Sequence, residues 1–97
     1  MQRWTPDTVA DELERFIRHQ FQVPDDDTNL TRETHLWEAG YVDSLGVAEV
    51  IAHLEETFGV RIPDEALFSP DFVRIRGIAQ IVCDLRAKRP EILGRAS

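Results

Sequence analysis

Gly40-Tyr41-Val42-Asp43-Ser44-Leu45-Gly46-Val47-Ala48-Glu49-Val50-Ile51-Ala52-His53-Leu54-Glu55-Glu56-Thr57-Phe58-Gly59 carries both ends of a helix within one stretch. Asp43 is the kind of side chain that caps the free amides of a helix start, and Gly59 suits the left-handed residue that closes one. The helix predicted between them, from about Ser44 to Phe58, has Val47, Ile51, Leu54 and Phe58 at i, i+4, i+7 and i+11, with Val50 widening the stripe. That stripe is the expected core face. On the opposite side Leu45, Ala48, Glu49, Ala52, Glu55 and Glu56 keep the same period, a strip of small apolar residues ringed by carboxylates. An ordinary solvated face mixes both signs of charge. No Lys or Arg stands between Ser44 and Phe58.

Upstream, Thr5-Pro6-Asp7 reads as a helix start with Thr5 as cap and Pro6 at the first helical position. Trp4 and Val9 occupy the two places of a hydrophobic staple. Val9, Leu13, Phe16 and Ile17 then form an apolar stripe on a helix over about 6–21, ended by Pro24. Asp25 to Gly40 shows no sustained period and reads as a long loop, pinned to the core by Leu30, Leu36 and Trp37. Downstream, Ile62-Pro63-Asp64-Glu65 opens a short helical turn through Ala66, Leu67 and Phe68, closed by Ser69-Pro70. Ile75, Ile78, Ala79, Val82 and Leu85 mark a last helix over about 74–88, ended by Pro90 with a frayed tail behind it. The fold class is therefore all-α, a bundle of three long helices and one short one. Residues 1–97 form a single domain, its core over about 5–89.

Composition narrows the function. Among 97 residues, 11 basic and 18 acidic ones give a net charge of −7, which makes nucleic acid a poor partner because its phosphates would be repelled. No apolar run reaches the roughly 18 residues of a membrane span and no signal-peptide core opens the chain, so the expectation is a cytoplasmic monomer with no membrane partner. The lone Cys83 excludes an internal disulfide and reads as a small hydrophobe on the flank of the last helix. Residues 38–65 hold seven carboxylates against Arg61 alone, whereas six basic residues from Arg74 onward face only Asp84 and Glu91. The molecule is electrically polar along its sequence.

Catalytic apparatus is lacking. The chain has no glycine-rich phosphate loop and no His-Glu-x-x-His pair, and His19, His35 and His53 are scattered and read as surface residues. A triad of Ser44, His53 and Asp43 fails because His53 lies more than two turns along the helix from Ser44. Ser44 instead sits where an anion is welcome. The first residue of a helix lies beside unpaired amides and the positive end of the helix dipole, which stabilises a phosphate by up to about 2 kcal/mol.

Gly40-Tyr41-Val42-Asp43-Ser44-Leu45 resembles the Gly-x-x-Asp-Ser-Leu attachment motif of acyl and peptidyl carrier proteins. The segment from Leu54 to Glu65, with Leu36-Trp37-Glu38-Ala39 upstream and Ile78 to Val82 downstream, is similar to the same family, so the likeness spans about residues 9–86. The resemblance implies a four-helix fold with no catalysis of its own, and a 4′-phosphopantetheine arm joined to Ser44 by a phosphodiester. Coenzyme A and a phosphopantetheinyl transferase would supply the arm, whose thiol carries an acyl or aminoacyl group as a thioester. Asp43 would stand beside the attachment oxygen and Leu45 would fill a small pocket on a partner. Glu49, Glu55 and Glu56 would meet the basic patches of a loading ligase or acyltransferase and of downstream synthase enzymes, framing a shallow strip of Gly46, Ala48 and Ala52 on the same partner face. Gly46, Ala48, Ala52 and Arg74 depart from the family's usual residues. Gly46 suggests close approach of a partner, and Asp-Ser-Leu-Gly resembles discrete carriers of polyketide or nonribosomal-peptide pathways more than the housekeeping fatty-acid carrier, which stays open as an alternative. A reading from another class also stays open, an unmodified helical module that uses the acidic face to bind a basic protein.

Overall fold

The computed structural model describes residues 3–95, and side chains through Lys88. Among these residues the chain is all helical and has no strand, in the order α1 (Pro6–Gln20), α2 (Ser44–Phe58), α3 (Asp64–Leu67), a 3-10 turn (Pro70–Val73) and α4 (Ile75–Arg95). α1 starts where its caps dictate. Thr8 N–H donates to Thr5 Oγ1 at 3.2 Å while Thr5 N–H donates to Thr8 Oγ1 at 2.8 Å, so two end amides are satisfied reciprocally. α1 packs mainly against α4, burying Val9, Leu13 and Ile17 together with Ile75, Ile78 and Val82. Phe16, expected in the same stripe, is only half-buried. Trp4 meets Phe58 edge-on, its ring centre 4.7 Å away.

α2 is turned from its expected seat. The buried row is Gly46, Val50, Leu54 and Phe58, spaced every four residues, while Val47 and Ile51 are half-buried flanks. Glycine adds nothing to a hydrophobic pattern, so the stripe that includes Gly46 is invisible to periodicity. Gly59 closes the helix at φ 67°, ψ 34°, and Arg86 on α4 reaches across to donate to the Phe58 carbonyl at 2.7 Å, placing a cation at the negative end of α2.

The long loop is ordered by polar staples as well as by its apolar pins. Leu30 and Leu36 are buried and Trp37 is half-buried. Arg18 donates to Glu14 on its own helix and to the carbonyls of Pro24, Asp27 and Leu30. Arg32 ties the same loop to Asp11 and Glu14, and Arg76 pairs with Glu33. Leu36 N–H donates to Val73 O at 2.8 Å, which fastens the loop to the 3-10 turn that the sequence pattern did not suggest.

α4 corrects one further expectation. Pro90 does not end it, and the backbone stays helical to Arg95 rather than fraying behind the proline. A proline inside a helix removes one hydrogen bond and crowds the preceding turn, a cost of about 3 kcal/mol that opposes a helix without forbidding it. The end of the expected tail, residues 96–97, lies outside the described residues.

Candidate functional site

The site is built at the start of α2. Gly40 takes φ 84°, turning the chain so that Tyr41 N–H and Val42 N–H both donate to Leu36 O at 3.0 and 3.1 Å. Val42 is buried. Asp43 follows in extended backbone and its Oδ1 accepts from Gly46 N–H at 2.8 Å, the capping bond expected of it. Ser44 is thus the first helical residue, exposed, with its own amide and that of Leu45 among the end amides that the helix leaves unpaired. Leu45 is 80% exposed and, with Phe68, one of two large apolar side chains among the described residues that stand so open.

Gly46 is corrected by the structure. It is buried, so its surface is closed to an outside partner, and the close approach comes from within the chain. A Cβ built on it would lie 2.7 Å from the Phe21 ring and 3.0 Å from Val42. The first turn of α2 rests on these two side chains, and only a residue without a side chain allows the aromatic ring to lie so near. Phe21 escaped the sequence reading, although a large aromatic just beyond a helix end and a glycine inside another helix are signals that could have been paired.

The acidic face divides. Ala48, Glu49, Ala52 and Glu56 are exposed, as expected, and Glu49 accepts from Gln20 Nε2 at 3.2 Å. Glu55 is half-buried and accepts from Ile62 N–H at 2.9 Å, so its carboxylate is already committed to the segment before α3. An orphan amide in a part-buried loop attracts a carboxylate more strongly than open solvent lets a distant cation do. Between α1 and α2 a shallow groove of about 240 Å³ is lined by Phe16, Gln20, Glu49, Ala52, His53 and Glu56.

His53 is not a surface histidine. Its ring stacks on Phe16 with centres 3.9 Å apart, and its Nε2 lies 3.1 Å from Glu12 Oε2. Burial holds its pKa below the ordinary value against the pull of Glu12. Arg15, hydrogen-bonded to Glu12, keeps that carboxyl below the usual range. His53 therefore faces α1 and takes no part at Ser44. Cys83 is half-buried on α4, its thiol pushed up by burial and then by Asp84, which disfavours the reactive thiolate.

The described residues thus form a small helical protein with an exposed serine at a capped helix start, an exposed leucine beside it and a carboxylate-lined face. The chain matches the family model described as the phosphopantetheine attachment site over residues 11–84, and it belongs to that family, the acyl and peptidyl carrier proteins. It is similar to the D-alanyl carrier proteins of Streptococcus pyogenes serotype M5 (strain Manfredo), serotype M49 (strain NZ131) and serotype M1. With each it shares 33% identity over 61 residues, 63% of this chain and 77% of the relative. The cofactor of the family is covalently attached 4′-phosphopantetheine, and its members are generally non-catalytic. Among the described residues no helix is long and apolar enough to cross a membrane.

Proposed function

We propose that Ser44 receives the 4′-phosphopantetheine arm and that the chain carries an acyl or aminoacyl group on it between partner enzymes of a specialised, polyketide or nonribosomal-peptide type of pathway. The observation that carries this reading is the exposed Ser44 at the first position of α2. Its hydroxyl is exposed, and the positive helix end with the unpaired amides of Ser44 and Leu45 would favour a phosphate held there. Asp43 is adjacent, yet one of its oxygens is engaged by Gly46 N–H, which offsets part of its repulsion for a phosphate. Held on Ser44, the group would supply a flexible arm with a terminal thiol able to carry the cargo as a thioester.

Leu45, Ala48, Glu49, Ala52 and Glu56 make the partner face. Their apolar area is small, so binding by burial at about 25 cal/mol per Å² is weak and release is fast. Carboxylates at the rim speed encounter with basic enzymes, the phosphopantetheinyl transferase and a loading ligase among them. The relatives named for a D-alanyl cargo favour an aminoacyl group over a fatty acyl chain. Dependence on coenzyme A suits a cytoplasmic chain that works as a monomer.

Incubation with coenzyme A and a phosphopantetheinyl transferase should raise the intact mass by one phosphopantetheinyl group, mapped by peptide mass spectrometry to Ser44. Ser44→Ala should remove the gain entirely and leave the helical circular dichroism unchanged. Modification at another serine, or none, would overturn the assignment. Glu56→Lys should slow modification through a raised KM, and salt should mimic it, since exposed charges act within about 10 Å at 0.1 M salt.

A further inference from the structure

Two neighbouring residues hold the turn before Ser44 to different parts of the molecule. Val42 is pressed into the core. Tyr41 instead sends its hydroxyl to Asp27 Oδ2 at 3.0 Å, in the loop that follows α1. That loop is itself fixed. Asp27 Oδ1 accepts from Asn29 N–H at 2.9 Å, and the Asp27 carbonyl accepts from Arg18, whose guanidinium also gathers the carbonyls of Pro24 and Leu30. The Arg18 side chain is 15% exposed, and its bonds to the Asp27 and Leu30 carbonyls are part-buried, which limits competition from water.

Val42 in the core and the amide bonds of Tyr41 and Val42 to the Leu36 carbonyl hold the turn from one side. The Tyr41 hydroxyl adds a tie on another side, to the loop that follows α1. Asp43 and Ser44 follow directly, so the bearing of the helix start depends on where Tyr41 is held. We propose that the Tyr41–Asp27 hydrogen bond sets the presentation of Ser44 to the transferase, which makes both of them positioning residues for the modification. The inference rests on Ser44 as the attachment residue. Burial, and then the bond to Asp27, pushes the Tyr41 phenol up, so it stays a donor across the working range of the reaction.

The test is transferase kinetics on the full chain, with coenzyme A as donor, for Tyr41→Phe, Asp27→Ala and the double variant. Measurements are made at a temperature where circular dichroism shows each variant fully folded. A merely structural bond would lower the melting temperature and leave kcat unmoved. A positioning bond should lower kcat by about threefold to tenfold in each single variant with KM changed far less, because placement of the nucleophile is lost while the docking face is intact. The double variant should be no slower than the slower single one, since both remove the same contact. Wild-type kcat in Tyr41→Phe, or losses that multiply in the double variant, would overturn the inference while leaving Ser44 modified as proposed. A wild-type chain that takes no group, or takes it elsewhere, removes the reading of Ser44 and this inference together.

Discussion

The two ends of α2 are built for opposite tasks. At the far end Leu54 and Phe58 are fully enclosed, Trp4 closes edge-on over Phe58 at 4.7 Å, and Arg86 holds the last carbonyl. At the near end Asp43, Ser44 and Leu45 stand in solvent on a turn that rests on Phe21 and Val42. The difference teaches that a helix start can stand in solvent when the rest of its helix is anchored elsewhere. Exposure of Ser44 and Leu45 is tolerable because the free energy of the helix comes from residues about three and four turns away.

That division is most directly broken by truncating one leucine at each end. Leu54→Ala should cost about 2–5 kcal/mol, the range for a fully buried leucine whose site cannot collapse around the gap. Leu45→Ala should stay within about 0.5 kcal/mol of wild type, as surface substitutions do. Urea unfolding followed by circular dichroism measures both. A Leu45→Ala loss of the same size would mean that the near end supports the fold and that the contrast between the ends is false.

The contrast is sharpened by two glycines that sit inside helices. A Cβ at Gly77 on α4 would lie 2.0 Å from the Asp71 carbonyl oxygen, which is backbone of the 3-10 turn, whereas at Gly46 it meets the edge of the Phe21 ring. A side-chain ring can swing and a turn's backbone cannot without unmaking the turn. Gly77→Ala should therefore cost about 1–3 kcal/mol, the usual range for overpacking. Gly46→Ala should fall within about 1 kcal/mol of wild type, because the gain in helix propensity, about 1 kcal/mol, offsets the displaced ring. Equal losses at the two sites would show the Phe21 seat to be as rigid as the backbone contact.

Much of this was legible in the residues and the rest was not, for reasons that differ by element. The caps of α2 and the apolar stripes of α1 and α4 are local, so Asp43, Gly59, Val9, Leu13, Ile78 and Val82 stand where spacing puts them. The rotation of α2 depended on Gly46, whose role is to leave space. Glu55 looked like its neighbour Glu56 until Ile62 N–H, seven residues away, claimed it. The ordering of the loop rests on Arg18, Arg32 and Tyr41 reaching partners many residues distant. No periodicity records a bond between a charged group and a carbonyl. The exposed place of Ser44 at the first position of α2 was readable because a capping aspartate and a serine are written in adjacent letters.

The smallest expected effect concerns the middle of α2, between its two ends, where His53 leans on α1. Facing it are the Phe16 ring, the Glu12 carboxylate and Thr57, with Arg15 and Glu56 acting through their charge. Burial is the largest influence and lowers its pKa, so the folded protein prefers the neutral ring more than the unfolded chain does. The sign follows from proton uptake. Below the unfolded value of about 6.5 the unfolded chain binds a proton that the folded one resists, so stability is complete above that pH and is lost as pH falls toward the folded value. Glu12 does not mask this, because its own pKa lies below the usual carboxylate range and it stays ionised throughout the window. The melting temperature of wild type should then decline between about pH 7.5 and pH 5.5, and His53→Gln, which keeps a polar side chain and removes the titration, should flatten that decline. A steeper decline in His53→Gln, or a wild type that gains stability on acidification, would mean that attraction to Glu12 outweighs burial at this ring.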